Sequence, residues 1–294
     1  MPIKFKINNL TIMEYFKKLP RFIWNILRSG MPFQMRGRVF DLRKKELVKL
    51  NGFQLFVMPN DYIGRSILDS KIFEPHVTSV IRRILKEGDV FLDIGANIGY
   101  FTMLASSLVK ANGKVIAFEP NPQNLQLIYS SLIQSHVQNV AVYPYAVSDV
   151  AAILRFTTVG SNGGVVTEKS KGTRHHLLVP AVVLDEILKN ELKIDLIKID
   201  IEAHEPSAIK GMEGMISKLR PKIITEFFPW AMQINNLEPP VAYLEQLIAF
   251  GYGLSVIEPS GNCLGLFSAE QILSYWKSLN NETAHLDLLA QPLT

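Results

Sequence analysis

The chain is 294 residues long, 48% hydrophobic and 20% charged, which describes a globular protein with an ample core and excludes a disordered one. A single cysteine, Cys263, excludes an internal disulfide framework and fits a reducing compartment, and no run of 18 apolar residues reads as a membrane span. The net charge of +4 is uneven: residues 1–50 hold 12 Lys/Arg against three acids, a net +9 that leaves −5 for the rest, and a mildly acidic body argues against a nucleic-acid groove.

Residues 1–50 read as a basic helical arm. Ile12, Tyr15, Phe16, Leu19, Phe22, Ile23, Ile26 and Leu27 recur at helical spacing, Pro20 kinks or splits that helix, and Lys17, Lys18, Arg21 and Arg28 take the other faces. Such an arm either packs on the body with its basic face in water, or docks on anionic lipid through residues 11–28. Residues 51–87 are a lead-in, with a strand-like run Gly52–Met58, a turn at Pro59-Asn60-Asp61 and helical patterns to Lys86, placed to fold over the next segment as a lid.

From 88 to 279 strands and helices alternate, the signature of a mostly parallel sheet with helices on both faces. The first strand, Val90–Leu92, ends in Asp93; a turn Gly95-Ala96-Asn97 follows, and Gly99 opens a helix at Tyr100. Glycine serves where backbone must turn sharply or admit a ligand, and a helix start offers unpaired N–H groups. The second strand, Val115–Phe118, ends in Glu119, which in a parallel sheet faces the glycine turn across the shared crevice. A carboxylate there can accept hydrogen bonds from both hydroxyls of a ribose.

The turn lacks the second glycine of G-x-G-x-x-G, since Asn97 stands there, and no P-loop pattern occurs. A ligand with a ribose but no phosphates fits this arrangement, and S-adenosylmethionine is such a ligand. Asp93, Gly95, Ala96, Asn97, Gly99 and Glu119 are therefore the expected cofactor residues. Val140–Val147 reads as a third strand, with Ser148 in a turn placed to border the adenine. Gly160–Gly164 reads as a flexible loop suited to admitting substrate.

The fourth strand, Asp195–Asp200, runs into Ile201-Glu202-Ala203-His204-Glu205. Three acids and an imidazole within six residues offer a general base for an alcohol. They could equally ligate a cation, and Glu202 and Glu205 could simply favour the next helix start. The candidate catalytic residues are Glu202, His204 and, as the floor, Asp200, with no resident metal; His204 has the more suitable pKa near neutrality, and only a family resemblance puts Glu202 first. A fifth strand, Lys222–Glu226, precedes Phe228-Pro229-Trp230; Gly253–Ile257 and Cys263–Phe267 close the sheet; residues 280–294 read as a loosely held tail.

The runs F-L-D-I-G-A-N-I-G-Y-F-T, A-F-E-P-N-P, A-V-S-D, I-K-I-D-I-E-A-H-E and R-P-K-I-I-T-E, in this order, resemble the FkbM family of S-adenosylmethionine-dependent methyltransferases, with D-Y-I-G-R and F-E-P fitting its lead-in. The resemblance covers about residues 52–230. It implies a class I, Rossmann-like, doubly wound α/β fold with a mostly parallel seven-stranded sheet, preceded here by the helical extension. It also implies O-methylation, most often of sugar hydroxyls or related secondary metabolites; the expected acceptor is a hydroxyl of a sugar, glycolipid or polysaccharide, and the cysteine usage makes the expected enzyme cytoplasmic, peripheral at the inner membrane surface if the arm docks there. The alternatives are another small molecule, nucleic acid or protein as acceptor, or a non-catalytic cofactor-binding module. Where the family has glycine after the second acid, this chain has Ala203, so a left-handed turn there would be strained by roughly 1 kcal/mol.

Overall fold

A computed structural model describes residues 44–166, 176–235, 239–266 and 268–293. The expected helix over 11–28 lies outside the described residues. Residue 42 onward forms one compact unit. Among the described residues no helix is long and apolar enough to cross a membrane.

The body begins with a hairpin of β1 (Glu46–Lys49) and β2 (Gln54–Val57). Val48 and Leu55 are buried in it, so the body starts before residue 51, the boundary expected from charge alone. Two helices follow, α1 (Tyr62–Ser70) and α2 (Pro75–Ile84). Asp61 caps α1, its side chain accepting the Ile63 and Gly64 N–H groups. The βα units then run β3 (Val90–Ile94), α3 (Tyr100–Val109), β4 (Lys114–Phe118), α4 (Pro122–Gln134) and β5 (Val140–Tyr143). A small sheet is inserted next, from β6 (Ala146–Val147), β7 (Ala152–Val159), β8 (Asn162–Val165) and β9 (Leu177–Val182), in the order β6-β9-β7-β8. The run Val140–Val147 is thus two strands rather than one. It breaks at Pro144, which has no N–H to give a ladder, and its second half pairs with β9 instead.

The chain returns through α5 (Leu184–Ile187), β10 (Leu196–Ile199), α6 (Glu205–Lys210), α7 (Glu213–Leu219), β11 (Lys222–Phe227), α8 (Pro229–Asn235), α9 (Pro240–Ala249), β12 (Tyr252–Ile257), β13 (Cys263–Leu266), α10 (Ala269–Ser278) and β14 (Leu286–Pro292). The main sheet has the order β13-β12-β14-β11-β10-β3-β4-β5. Strands β5, β4, β3, β10 and β11 are parallel, whereas β14 and β13 lie antiparallel to their neighbours. This is the doubly wound α/β architecture, with eight strands rather than seven because β13 adds an edge.

Residues 280–294 are not a loose tail. Leu286, Leu288, Leu289 and Ala290 are buried, and β14 bonds to β11 on one side and β12 on the other. Burial of each leucine stabilises the fold by roughly 1.5–3 kcal/mol, which is what holds so short a segment.

Strands β3 and β10 are buried on both faces, as their near-continuous apolar runs VFLDI and LIKI require. Strand order reverses between them, since β4 and β5 lie on one side of β3 and β10 and β11 on the other. The crevice at their carboxyl ends is where such sheets bind ligands.

Candidate active site

A cavity of about 310 Å³ opens at that crevice. One wall is the turn after β3. Gly95, Asn97 and Gly99 have φ of 82°, 51° and 90°. A Cβ on Gly95 would lie 2.0 Å from the Asp200 carbonyl oxygen, so only glycine lets the ends of β3 and β10 approach this closely. The N–H groups of Gly95 and Ala96 both donate to the Phe118 carbonyl, at 2.9 and 3.0 Å, which fixes the turn against β4.

Glu119 faces that turn and is 4% exposed. Its Oε2 accepts the Asn97 N–H at 2.7 Å, and its Oε1 accepts the Asn121 N–H at 2.8 Å and the Asn124 amide at 3.4 Å. Burial pushes its pKa up to about 8, against the pull of these donors. Asn124 is also buried in the lining, and its Oδ1 has no partner among the described residues.

Three of the expected cofactor residues stand back from the cavity. Asp93 is buried beneath the turn, where the Thr102 hydroxyl donates to its Oδ2 at 2.5 Å. Burial raises its pKa to about 6, with Lys198 opposing. Gly99 serves as the N-cap of α3 and does not line the cavity. Ser148 is buried behind it, donating to Asp149 Oδ1 at 3.1 Å and bonded to His204 Nε2 at 3.1 Å. Gly95, Ala96, Asn97 and Glu119 do line it, with Tyr145, Ala146 and Val147 extending the wall.

The opposite wall comes from the ends of β10 and β11. Lys198 is 3% exposed, yet its ammonium reaches the lining, donates to Asp200 Oδ2 at 2.8 Å and sits 4.6 Å from the centre of the Phe101 ring. Burial alone lowers its pKa, but the charges of Asp200, Glu74 and Asp93 outweigh that and hold it above the usual lysine value. The turn that follows is left-handed at two residues in succession, Glu202 (φ 58°) and Ala203 (φ 72°). Ala203 therefore occupies the conformation that favours the family glycine. Its buried methyl, worth about 0.8 kcal/mol, offsets most of that strain.

Both base candidates border the cavity, in different settings. Glu202 lines the cavity, and burial with the nearby Asp200 charge raises its pKa to about 7. His204 also borders the cavity and bonds to Ser148; since Ser148 donates to Asp149, the His204 Nε2–H donates to Ser148, and Nδ1 is left without a partner among the described residues. Burial lowers its pKa, so it is neutral near pH 7. Glu205 is fully buried, its Oε1 accepting the Ile201 N–H at 2.9 Å, and takes no part in the lining.

Sequence reasoning missed Glu74, Asn124, Lys198, Glu226 and His285, all in the lining. Glu226 is raised well above the usual carboxylate range, first by burial and then by Asp200, Glu205 and Glu202. A usable signal existed for it, because it stands near the end of the strand next to β10. Among the described residues no group of three His, Cys, Asp or Glu side chains is arranged to hold a metal ion.

The Gly160–Gly164 stretch is not an open loop. It forms the tip and second strand of the β7–β8 hairpin, and Ser161 is buried. Ser161 donates to Asp61 from its N–H at 2.9 Å and its hydroxyl at 2.6 Å, and its carbonyl accepts the Asn124 amide at 2.8 Å. Asn162 Oδ1 accepts the Asn97 amide at 3.3 Å. The tip thereby ties the lead-in to the glycine turn.

Residues 93–271, more than half of the chain, match the methyltransferase FkbM domain. The chain belongs to the FkbM methyltransferase family. Part of it is 30% identical over 147 residues to the hexuronic acid methyltransferase AglP of Haloferax volcanii, covering 48% of this chain and 58% of that protein. It is 29% identical over 161 residues to the 31-O-demethyl-FK506 methyltransferase FkbM of Streptomyces tacrolimicus, covering 44% of this chain and 61% of that protein. Both matches span less than two thirds of those relatives' lengths. A solved FkbM methyltransferase from Methylobacillus flagellatus superposes with a TM-score of 0.43 at 17% identity, covering 69% of this chain and 43% of that one. Within the FkbM domain of this chain, the blocks that carry cofactor and acceptor candidates end on the same cavity.

Proposed function

We propose that this FkbM domain is an S-adenosylmethionine-dependent O-methyltransferase acting on a hydroxyl of a sugar, glycolipid or polysaccharide. The observation that carries the reading is the pairing, in one cavity, of Glu119 under the Asn97 amide with Asp200 and Glu202 at the end of β10. The cofactor half fits the donor set of an adenosine ligand. Glu119 offers a carboxyl for a ribose diol, Asn124 an unpartnered carbonyl oxygen, and the Gly95–Ala96 turn an open backbone wall. The volume falls at the lower end of the range typical for small-ligand sites, roughly 300–1,000 Å³. When bound, S-adenosylmethionine supplies an electrophilic methyl group on a sulfonium.

The acceptor hydroxyl holds its proton tightly near neutral pH, so a base must receive it. Glu202 has the position and a pKa near 7, matched to that task. Asp200, held by Lys198, shapes the floor and supplies fixed negative charge beside it. His204 stands second, because its Nε2 is occupied by Ser148 and only Nδ1 is free to act. A saccharide acceptor is also consistent with the hexuronic acid and macrolide activities named for the two relatives.

Release of S-adenosylhomocysteine from the enzyme with a sugar panel tests the reaction class. Glu202→Gln lowers turnover by roughly 10²–10⁴ with cofactor binding unchanged, and chelator has no effect, if Glu202 is the base. Reversible loss of turnover on chelation points instead to a cation activating the hydroxyl. An active Glu202→Gln, His204→Ala double variant, indifferent to chelator, places the acceptor on another loop.

A further inference from the structure

The reaction proposed above leaves one end of the cavity unassigned, and the inference drawn from it rests on that reading. Glu74 lies at the start of α2 with a left-handed φ of 39°, and Glu226 is the last residue but one of β11; both line the cavity, on elements far apart in sequence. Each has a carboxyl oxygen, Oε2, buried and without a hydrogen-bond partner among the described residues. A buried polar atom left bare costs about 1–3 kcal/mol, and two of them on side chains that border one cavity mark a place where a ligand can complete the bonding.

The chemistry of that ligand follows from the charges. Among the described residues the lining contains one lysine and no arginine, and the Lys198 ammonium is already engaged by Asp200. An anionic group brought here would lose its hydration beside the carboxyl side chains of Glu74, Asp200, Glu202 and Glu226, with the one lysine of the lining among the described residues already paired. Burial also raises the pKa of both Glu74 and Glu226 above the usual range, and wherever either is ionised it repels an added negative charge. Neutral hydroxyls, which both donate and accept, satisfy such a wall in either state.

Beside the cavity, His285 of the lining leads to aromatic side chains that lie outside that lining. His285, half-exposed beside Glu226, packs edge-on against Phe228 at 6.1 Å, and Phe228 stacks on Trp230 at 5.8 Å, with Trp230 40% exposed. An accessible aromatic strip suits the apolar C–H face of a pyranose ring, and it gives the Phe228-Pro229-Trp230 segment a use. The geometry points to Glu74 and Glu226 as the acceptor-binding wall, selecting an uncharged polyhydroxyl ring over its uronic acid counterpart.

The test is binding of matched methyl hexosides (gluco, galacto and manno) and the corresponding methyl hexuronosides, by calorimetry and ligand-observed NMR, with and without S-adenosylhomocysteine. The neutral member of at least one pair is expected to bind about tenfold tighter or more than its uronoside. Glu226→Gln, which keeps one donor and one acceptor, should hold that affinity within about threefold, whereas Glu226→Ala should lose about tenfold. Equal or tighter binding of the uronosides, binding of neither series, or Glu226→Gln behaving like Glu226→Ala overturns the inference. Failure of the reaction class is read separately, as absent S-adenosylmethionine binding or absent S-adenosylhomocysteine release with every acceptor. Methylation of uronosides in preference to hexosides sinks the inference and leaves that reaction class standing.

Discussion

Glu119→Ala is the most informative single change, because the side chain holds both the turn and, in the proposed reaction, the cofactor. The substitution deletes the acceptor for two backbone N–H groups, those of Asn97 and Asn121, at 2.7 and 2.8 Å. Each left bare in this buried place costs roughly 1–3 kcal/mol, so the protein should lose about 2–6 kcal/mol of stability. That corresponds to a fall in Tm on the order of 5–15 °C for a chain of this size. The ribose hydroxyls lose their acceptor as well, at about 1.5–3 kcal/mol, or roughly ten- to a hundredfold in Kd. Glu119→Gln can still accept one N–H but presents its own NH₂ to the other, so its Tm should fall less while its affinity still drops. Differential scanning calorimetry and titration with S-adenosylmethionine measure the two effects apart. A Glu119→Ala protein with unchanged Tm and unchanged Kd would refute the assignment of this carboxyl to either task.

Stability should depend on pH with an unusual sign. Glu74, Glu119, Glu202 and Glu205 have folded pKa values of about 7–8 against 4.5 when unfolded, so the folded state binds more protons between those limits and stability falls as pH rises through that window. The ligand-free protein should therefore melt at a higher temperature at pH 6.5 than at pH 8.5, and a Tm that rises over this interval contradicts the burial argument. If Glu202 is the base, kcat/KM should climb with pH through an apparent pKa near 7, and Glu202→Gln should abolish that limb. Asp61→Ala frees the Ser161 N–H and hydroxyl together with the Ile63 and Gly64 N–H groups, so amide exchange across 156–165 should quicken while β3 and β10 stay protected. Membrane docking by the arm predicts that removing residues 1–43, which spares β1, ends sedimentation with anionic vesicles; retained sedimentation discards that idea.

The sheet and the cofactor turn were legible because each rests on local necessity. A strand followed by Gly95 and Gly99 can do little else, and Glu119 ends the neighbouring strand, so the crevice follows from parallel order alone. Asp93 was over-read: strand alternation sends it down to Thr102 on α3 rather than up to the ligand. His204 does border the cavity, but its bond to Ser148 was not legible, because distance along the chain says nothing of direction and the left-handed pair Glu202–Ala203 turns the backbone through the interval. Glu74 and Glu226 required knowing which strands are neighbours, and the hairpin tip required Asp61, 100 residues upstream of Ser161. The strand at 286–292 was hidden for a related reason, since three helices and the β12–β13 hairpin lie between it and β11, and β13 and α10 lie between it and β12.

That strand has a consequence for how the protein is made. When β11 and the β12–β13 hairpin have already left the ribosome, the slot between them is still empty, and each presents an unpaired backbone edge with apolar flanks. The crevice that carries Glu226 is supported on that side only once Leu286–Pro292 slides in antiparallel to both. Until then the nascent chain holds a sheet with an open seam, and a chain stalled or clipped before residue 286 is committed to aggregation or to a chaperone rather than to a smaller working enzyme.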